Sequence, residues 1–185
     1  MILRDPLEEP GIQENFKLTH TCYNHILAVS SFIFITLILG VILFFYDFKV
    51  GLCITFVLFV LAELVPILYL HITYWQENKD VEYVITDKEI IVIRNSKKVT
   101  YNDYDIKKII IYKSASMDAG GMPILSFESY FYVKVIINSG EVLFLTRLLS
   151  PKVDIIIGQL KGVLIERKKL WFSKLSYTEG NNHIK

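Results

Sequence analysis

Cysteine is scarce in this sequence, with two residues, Cys22 and Cys53, among 185. Two cysteines give no disulfide framework of the kind that stabilises small secreted domains, so a reduced compartment is the simpler expectation. Cys22 does lie close to His20 and His25, and all three are ligand types for zinc or copper. Three ligands without a fourth favour a polar strip over a metal site. We predict no metal and no bound cofactor.

A large excess of one charge is also missing. Twenty Lys and Arg stand against 19 Asp and Glu, for a formal net charge of +1. Even the most basic part, from residue 73 onward, carries only 17 basic against 13 acidic side chains. This surplus suits contact with an anionic leaflet but falls short of the basic stripe of a nucleic-acid-binding protein. We therefore expect no nucleic-acid partner.

The short motifs on which catalysis often depends are absent as well. The sequence contains no nucleophile elbow, no glycine-rich phosphate loop and no paired histidines of the metalloprotease type. Gly120 and Gly121 lie in the segment SMDAGGMP, which is typical of a flexible connection between strands. We predict that the protein is not an enzyme.

Apolar residues, by contrast, make up 52% of the sequence and give a mean hydropathy of +0.40. They are concentrated in two runs, 26–46 and 50–72. A helix needs about 20 apolar residues to cross roughly 30 Å of hydrocarbon, so each run predicts a transmembrane helix. The break at 47–49 must be a tight turn, because one continuous helix would extend about 70 Å.

The predicted hairpin places both of its flanks on one side of the membrane. Its turn offers a single lysine, Lys49, whereas the sequence beyond the second run soon becomes rich in Lys and Arg. The positive-inside rule then predicts an inner (cytoplasmic) membrane protein with both termini in the cytoplasm. The predicted parts are a juxtamembrane segment, the hairpin, a soluble domain and a tail, at residues 1–25, 26–72, 73–170 and 171–185.

Glu63 is the unusual residue of the hairpin, because a carboxylate near the middle of a span is costly and by default marks a contact or a function. Thr36 lies at about the same depth in an antiparallel hairpin and offers a hydroxyl donor, and Pro66 is the second unusual residue. Three interpretations remain open: a bond within the hairpin, a contact with another subunit, and the handling of ions or protons. Two helices are too few to line a pathway, so transport would require further subunits.

From Val81 onward, short segments rich in Val, Ile, Tyr and Thr alternate with turn residues. They predict six or seven antiparallel strands, and Ser139-Gly140 is typical of the turn in a hairpin. Ser150 and Pro151 suit the N-cap and first position of a helix. We therefore expect a small all-β barrel or sandwich capped by a C-terminal amphipathic helix.

Three stretches of this segment follow a known pattern: YVITDK at 83–88, DIKKI at 105–109, and the final helix after Leu148-Leu149. On these residues the segment resembles the bacterial pleckstrin-homology (PH) domains, and the hairpin ahead of it resembles membrane-anchored members of that group. The resemblance implies a two-sheet fold closed by a helix, and a scaffold rather than an enzyme. In the lipid-binding relatives, clustered Lys and Arg of the first hairpin recognise phosphoinositides. The first hairpin of this sequence has no Arg-x-Arg pair, so the resemblance does not extend to specific phosphoinositide binding.

Basic pairs and one basic triplet give an anchored domain the means to attract anionic headgroups, at roughly 1 kcal/mol per residue near the surface. An ordinary solvated face is the alternative. The candidate lipid contacts are Lys97, Lys98, Lys107, Lys108, Arg167, Lys168 and Lys169.

The function that we expect is a non-enzymatic, membrane-tethered PH-like module at the cytoplasmic face. It would present a binding surface to a protein partner or to its own copies, either at an exposed sheet edge or in the 114–127 loop. The alternative is an accessory or regulatory subunit of a membrane transporter or envelope-stress complex, which would engage its partners through the hairpin.

Overall fold

The computed structural model describes residues 16–45, 50–121, 123 and 125–176. A short strand, β1 (Phe16–Leu18), precedes two long helices, α1 (Cys22–Phe45) and α2 (Val50–Asn78). The two apolar runs therefore form helices, and α2 continues six residues beyond the run that predicts it. The turn expected at 47–49 lies outside the described residues.

The two helices are antiparallel neighbours. His25 near the start of α1 is hydrogen-bonded to His71 in the last part of α2, and at the other end Leu43 and Leu52 line one apolar cleft. By length and hydropathy, α2 can cross a membrane over Gly51–Asn78. α1 meets the same criteria only when its two parts are joined across a bend of 42°.

The first sheet is antiparallel, with the strand order β1-β2-β3-β4. Its later members are β2 (Val81–Ile85), β3 (Glu89–Arg94) and β4 (Lys97–Asn102). Asn95-Ser96 joins β3 to β4, and the positive φ angles of 49° and 63° define a type I′ turn, which suits the twist of a hairpin. Because β1 pairs with β2, the segment predicted to be juxtamembrane adds a strand to the domain.

The second sheet has the strand order β7-β6-β5-β8. Its members are β5 (Ile106–Lys113), β6 (Tyr132–Ile137), β7 (Val142–Thr146) and β8 (Ile165–Lys169). All neighbours are antiparallel except β8, which runs parallel to β5. The chain between β5 and β6 forms α3 (Ala115–Asp118) and a 3-10 turn at Ser126–Ser129, and α4 (Val153–Ile157) precedes β8.

Two apolar cores lie on the two faces of the second sheet. The first fills the space between the sheets, where Val133 lies in one cluster with Val153 and Ile157 of α4. The second lies between the second sheet and the long helices, and it includes Leu70 and Tyr132. All six residues of β6 are buried because each face of the strand meets one of these cores. The alternating side chains of residues 129–138 predict one core face and one face that is partly exposed to water, and the second core shows that this prediction is wrong.

The C-terminal helix is much shorter than Ser150 and Pro151 predict. α4 has five residues and ends at Gly158, and Gly162, with a φ of 80°, helps the chain to reverse direction. The following residues then form β8 beside β5. The described chain has eight strands instead of six or seven, and α4 with β8 takes the place of the long capping helix.

Candidate functional site

One stripe of α2 is built into the β domain. Glu63, Ile67, Leu70, Tyr74 and Asn78 are all buried, and their spacing of three or four residues places them on a single helix face. The apolar members belong to the second core. Fully burying a large apolar side chain contributes about 1.5–3 kcal/mol, so this stripe holds α2 firmly against the domain.

Glu63 joins the hairpin to the domain. Its side chain is 3% exposed, and its Oε2 accepts a hydrogen bond of 2.8 Å from the backbone N–H of Ser126. Among the described residues, Thr36 Oγ1 is buried without a hydrogen-bond partner. Of the open interpretations, a hydrogen bond between Glu63 and Thr36 is therefore not the one formed in this structure. Pro66 lies inside α2, which continues past it.

Three histidines and a tyrosine form a chain of hydrogen bonds where the helices meet the domain. His20 Nδ1 lies 3.2 Å from His25 Nε2, His25 Nδ1 lies 2.9 Å from His71 Nε2, and His71 Nδ1 lies 3.0 Å from the Tyr130 hydroxyl. Cys22 is exposed and takes no part in the chain. Throughout the described ranges, no group of three His, Cys, Asp or Glu side chains is arranged to hold a metal ion.

Burial at the histidine chain disfavours a charge on His20 and on Tyr130. Burial, reinforced by the neighbouring His25, lowers the pKa of His20 from 6.5 to about 4, and burial raises the pKa of Tyr130. When the protonated Tyr130 donates to His71, His71 donates to His25 and His25 donates to His20. All three hydrogen bonds can then form between neutral side chains. A proton added to His20 Nδ1 would remove the acceptor for His25 and so break the chain of hydrogen bonds.

Two buried asparagines bond backbone groups of the domain. Asn24 Nδ2 donates to Leu149 O at 2.7 Å, and Asn78 Nδ2 donates to Phe144 O at 2.6 Å. Asn78 Oδ1 also accepts from the N–H of Thr146 at 3.2 Å. A buried polar group needs such partners, because an unpaired one costs about 1–3 kcal/mol. Both helices are therefore fixed in position as well as packed.

An open cleft of about 450 Å³ separates β4 from β7. Val99 and Tyr101 of β4 line one wall, and Leu143 and Phe144 of β7 line the other, with Arg94 among the polar residues that surround them. β4 and β7 are the end strands of their sheets within the described part of the chain. The cleft is thus the open side of the sandwich.

A hydrogen bond crosses one end of this cleft. The Tyr101 hydroxyl donates to Glu141 Oε2 at 2.6 Å. Burial, together with this hydrogen bond and the charge of Glu141, raises the pKa of Tyr101 to about 12. Tyr101 is therefore neutral at physiological pH and acts as a donor.

Within the described part of the chain, the outer edge of β4 has backbone donors that no other strand pairs. The type I′ turn directs the N–H of Lys97 back to Arg94, and the N–H of Asp103 donates to Lys88 O at 2.9 Å. Donors alternate along an antiparallel strand, so the N–H groups of Lys98 and Thr100 point away from β3. Five of the six residues of β4 are exposed. This strand can accept another one.

The seven basic residues predicted to contact headgroups do not form one surface. Lys97 and Lys98 follow the β3–β4 turn at the start of β4, whereas the triplet 167–169 lies on β8 at the far edge of the other sheet. Several have acidic partners: Lys108 pairs with Glu166, and both Arg167 and Lys169 pair with Asp118. Lys107 is exposed and Lys168 lies near the Tyr112 ring. Headgroup contact by these residues stays a prediction.

Sequence reasoning missed the partners in these contacts. Glu63 and Ser126 are 63 positions apart, and His25 and His71 are 46 apart, so no local pattern links them. The available signal was indirect: Asn24 and Asn78 are polar residues at the domain ends of apolar helices. Each is positioned to bond the domain that meets the helix there.

Two packed β-sheets with an open edge and a short closing helix define a binding module of the PH type. A family model described as PH domain matches residues 14–156. Because this match covers more than half of the chain, the protein belongs to the PH-domain family, whose members are generally non-catalytic modules that bind proteins or lipids. The matched region includes both long helices. No curated protein and no solved structure matches the chain.

Proposed function

We propose that this protein is a non-enzymatic PH module, tethered to the membrane by its helical hairpin, that binds an extended segment of a partner protein along β4. The exposed edge of β4 beside the open cleft is the observation that carries this proposal. The 114–127 loop, the other expected binding element, is a weaker candidate because Ser126 is bound to Glu63.

Strand addition suits the geometry of this edge. The outward N–H groups of Lys98 and Thr100 can each donate to a carbonyl oxygen of an added strand. Alternate side chains of that strand would point to the inner face of the sheet, where Val99 and Leu143 line the cleft. A cleft of about 450 Å³ has room for a large apolar side chain, so the partner segment should carry one.

The hairpin supplies the tether in this proposal. α2 has the length and hydropathy of a membrane span, and α1 lies antiparallel to it. The scarcity of basic residues at the turn and their abundance in the β domain favour a cytoplasmic location for the domain and both termini, by the positive-inside rule. The expected site is then the cytoplasmic face of the inner membrane.

The junction between α2 and the β domain determines how far the exposed edge of β4 lies from the membrane. α2 runs without a break from the hairpin into the domain, and its last turn lies beside the β3–β4 turn, where Glu77 and Arg94 line a common cleft. The distance from Glu63 to Asn78 along the helix is about 23 Å at about 1.5 Å per residue. The β4 edge is therefore held well above the hairpin, accessible to a protein in the aqueous phase.

Thr100→Pro tests the binding edge. Proline removes an outward N–H and leaves the β3–β4 ladder intact, because Thr100 does not donate to β3. A photoreactive residue at position 98 should cross-link a partner in cells with the unmodified chain and with Thr100→Ala, and should lose it with Thr100→Pro. The same probe at Lys107, an exposed residue on β5, is the position control.

Equal cross-linking by the proline and alanine variants would rule out strand addition at β4. A strictly monomeric protein in detergent, together with no cross-linked product in cells, would rule out the binding function. If the cross-linked product is a second copy of the chain, β4 mediates self-assembly and the partner is the protein itself.

The alternative is an accessory subunit that recruits a transporter or envelope-stress complex through Glu63. It has less support, because the Glu63 side chain is buried and its Oε2 is bonded to the domain of its own chain.

A further inference from the structure

The part of the hairpin that is free of the β domain is too short to cross a bilayer. The domain contacts α2 from Glu63 onward, which leaves residues 50–62. On α1, Phe32 packs against the second core, which leaves residues 33–45. Among the described residues, each stretch has 13 residues and extends about 20 Å, whereas the hydrocarbon core measures about 30 Å. If the hairpin spans the bilayer, the remaining hydrocarbon, about 10 Å, must therefore surround the part of the helices that packs against the β domain.

The outer face of α2 fits such an environment. On the side opposite the buried stripe, Val65, Leu68 and Ile72 are exposed and apolar. About 20 residues at about 1.5 Å per residue place the hydrocarbon boundary near Tyr69. The apolar surface of the hairpin thus continues along α2 beside the β domain, and it supplies the remaining length of about 10 Å that is needed to span the hydrocarbon.

The β domain adds its own apolar surface at the same level. Trp171 is 71% exposed and packs edge-on against Phe127, with ring centroids 5.2 Å apart. Phe127 lies in the Ser126–Ser129 turn, whose first residue is bonded to Glu63, and Phe172 stacks on Tyr69 at 6.0 Å. These contacts place Trp171 between the levels of Glu63 and Tyr69.

Several backbone groups of the Ser126–Ser129 turn are paired, as contact with lipid requires. The N–H of Ser126 is bonded to Glu63 and its C=O accepts from the Ser129 hydroxyl at 2.7 Å. The C=O of Phe127 accepts the N–H of Tyr130 at 3.0 Å, and the C=O of Ser129 accepts from Arg147. Glu63 is enclosed by protein at this depth, which accounts for its place in an apolar helix.

Charges next to Trp171 match a headgroup layer. Arg167 and Lys169 are exposed on β8, four and two residues before the tryptophan, respectively. At about 3.3 Å per residue they lie about 7–13 Å from it along the strand. Aromatic side chains with basic neighbours are typical of the membrane interface.

We infer that the bilayer covers the outer face of α2 and the surface around Trp171, so that Trp171 of the β domain lies deeper in the membrane than Trp75 of α2. This inference rests on the proposed membrane insertion of the hairpin. Trp75 is 46% exposed and lies six residues, or about 9 Å, beyond the boundary near Tyr69. Lipid, and not a second protein, covers the outer face of α2 and the surface around Trp171.

The two tryptophans of the chain serve as depth probes. Trp75→Phe and Trp171→Phe each leave one, and the purified variants are reconstituted in vesicles of phosphatidylcholine and phosphatidylglycerol brominated at shallow or deep acyl positions. Trp171 should be quenched about twofold more strongly than Trp75, given their difference in depth of about 10 Å. Tyr104, 86% exposed in the β domain, provides the control: Tyr104→Trp in the double phenylalanine background should resist quenching.

The outcomes separate the two proposals. If Trp75 is quenched more strongly than Trp171, the inference is wrong and the anchored hairpin stands. If acyl bromines quench neither tryptophan, the inference is wrong, and the anchored hairpin is tested separately by Phe56→Trp in the double phenylalanine background, which should be strongly quenched if the hairpin spans the bilayer. If Trp171 is quenched only after dilution of the protein into excess lipid, a second copy covers this surface, and the lipid assignment is wrong. Circular dichroism of each variant verifies that the fold is unchanged.

Discussion

The Ser126 amide donates a 2.8 Å hydrogen bond to the Glu63 carboxylate and so links the middle of the second long helix to a turn of the β domain. This bond lies at the lower end of a buried stripe that continues to Asn78. Hairpin and domain therefore behave as one folded unit, and changes in one should be measurable as changes in the stability of the other.

Glu63→Ala should destabilise the folded protein by about 1–3 kcal/mol, because it leaves the buried N–H of Ser126 without an acceptor. Glu63→Gln retains a carbonyl oxygen and should cost less. Denaturant unfolding in detergent micelles measures both. Thr36→Val is the matched control, since the buried Thr36 hydroxyl has no hydrogen-bond partner among the described residues and its removal should be close to neutral. Equal stability of the alanine variant and the unmodified chain would disprove the role of this bond.

Acid should loosen the N-terminal strand from the domain. His20 follows β1, and its pKa is lowered to about 4 in the folded protein from 6.5. The undocked segment binds a proton more readily than the docked one, so docking is strongest above pH 6.5 and weakens as the pH falls toward 4. The nearest ring in the hydrogen-bonded chain is that of His25, whose Nε2 lies 3.2 Å from His20 Nδ1.

Hydrogen exchange of the β1 amides measures this effect, and their protection should decrease between pH 6.5 and pH 4. His20→Gln removes the titrating ring and should flatten the profile. A pH profile that is identical in the two proteins would show that another group is responsible.

Asn78→Ala should destabilise the domain by about 2–3 kcal/mol. The change removes two buried contacts at once, to Phe144 O and to the N–H of Thr146. Phe144 O then keeps only the longer bond of 3.3 Å from the Tyr83 hydroxyl. Gln76, exposed two residues earlier on the same helix, is the control, and Gln76→Ala should change the unfolding free energy by less than about 0.5 kcal/mol. A similar effect of the two substitutions would contradict this assignment.

Ser96→Gly should stabilise the β3–β4 hairpin by about 0.5–1 kcal/mol. Ser96 has a φ of 63°, in the left-handed region that costs an L residue about 1 kcal/mol and that glycine adopts freely. The resulting Asn-Gly pair is also the preferred sequence of a type I′ turn. An increase in the thermal midpoint, with Ser96→Ala as the comparison, is the measurement; an unchanged midpoint for glycine would show that the turn is not strained.

Local patterns in the sequence predict much of this fold. The long apolar runs become α1 and α2, and alternating strands with short turns become β2 to β7, because these elements are determined by residues close together in the chain. The two sheets of a PH-type sandwich follow from that series of strands.

The rest of the fold depends on contacts between distant residues. β1 has only three residues and pairs with β2 across both long helices, so its own sequence carries little signal. Val153, Ile156, Ile157 and Leu160 have helical spacing, but the chain turns away after Gly158 and adds β8 to β5. Likewise, the polar contacts of the junction join residues that are dozens of positions apart.

The parallel pairing of β8 with β5 also bears on the order of assembly during synthesis. The hairpin and the first sheet are complete within the first 102 residues, whereas the apolar edge of β5 remains open until residue 169 has been made. Pairing over such a sequence separation is slow to form, because a long loop must close first. The nascent chain therefore passes through a stage in which α1, α2 and the first sheet can fold while the second sheet still has an unprotected edge, and interruption of synthesis at that stage would yield an aggregation-prone product.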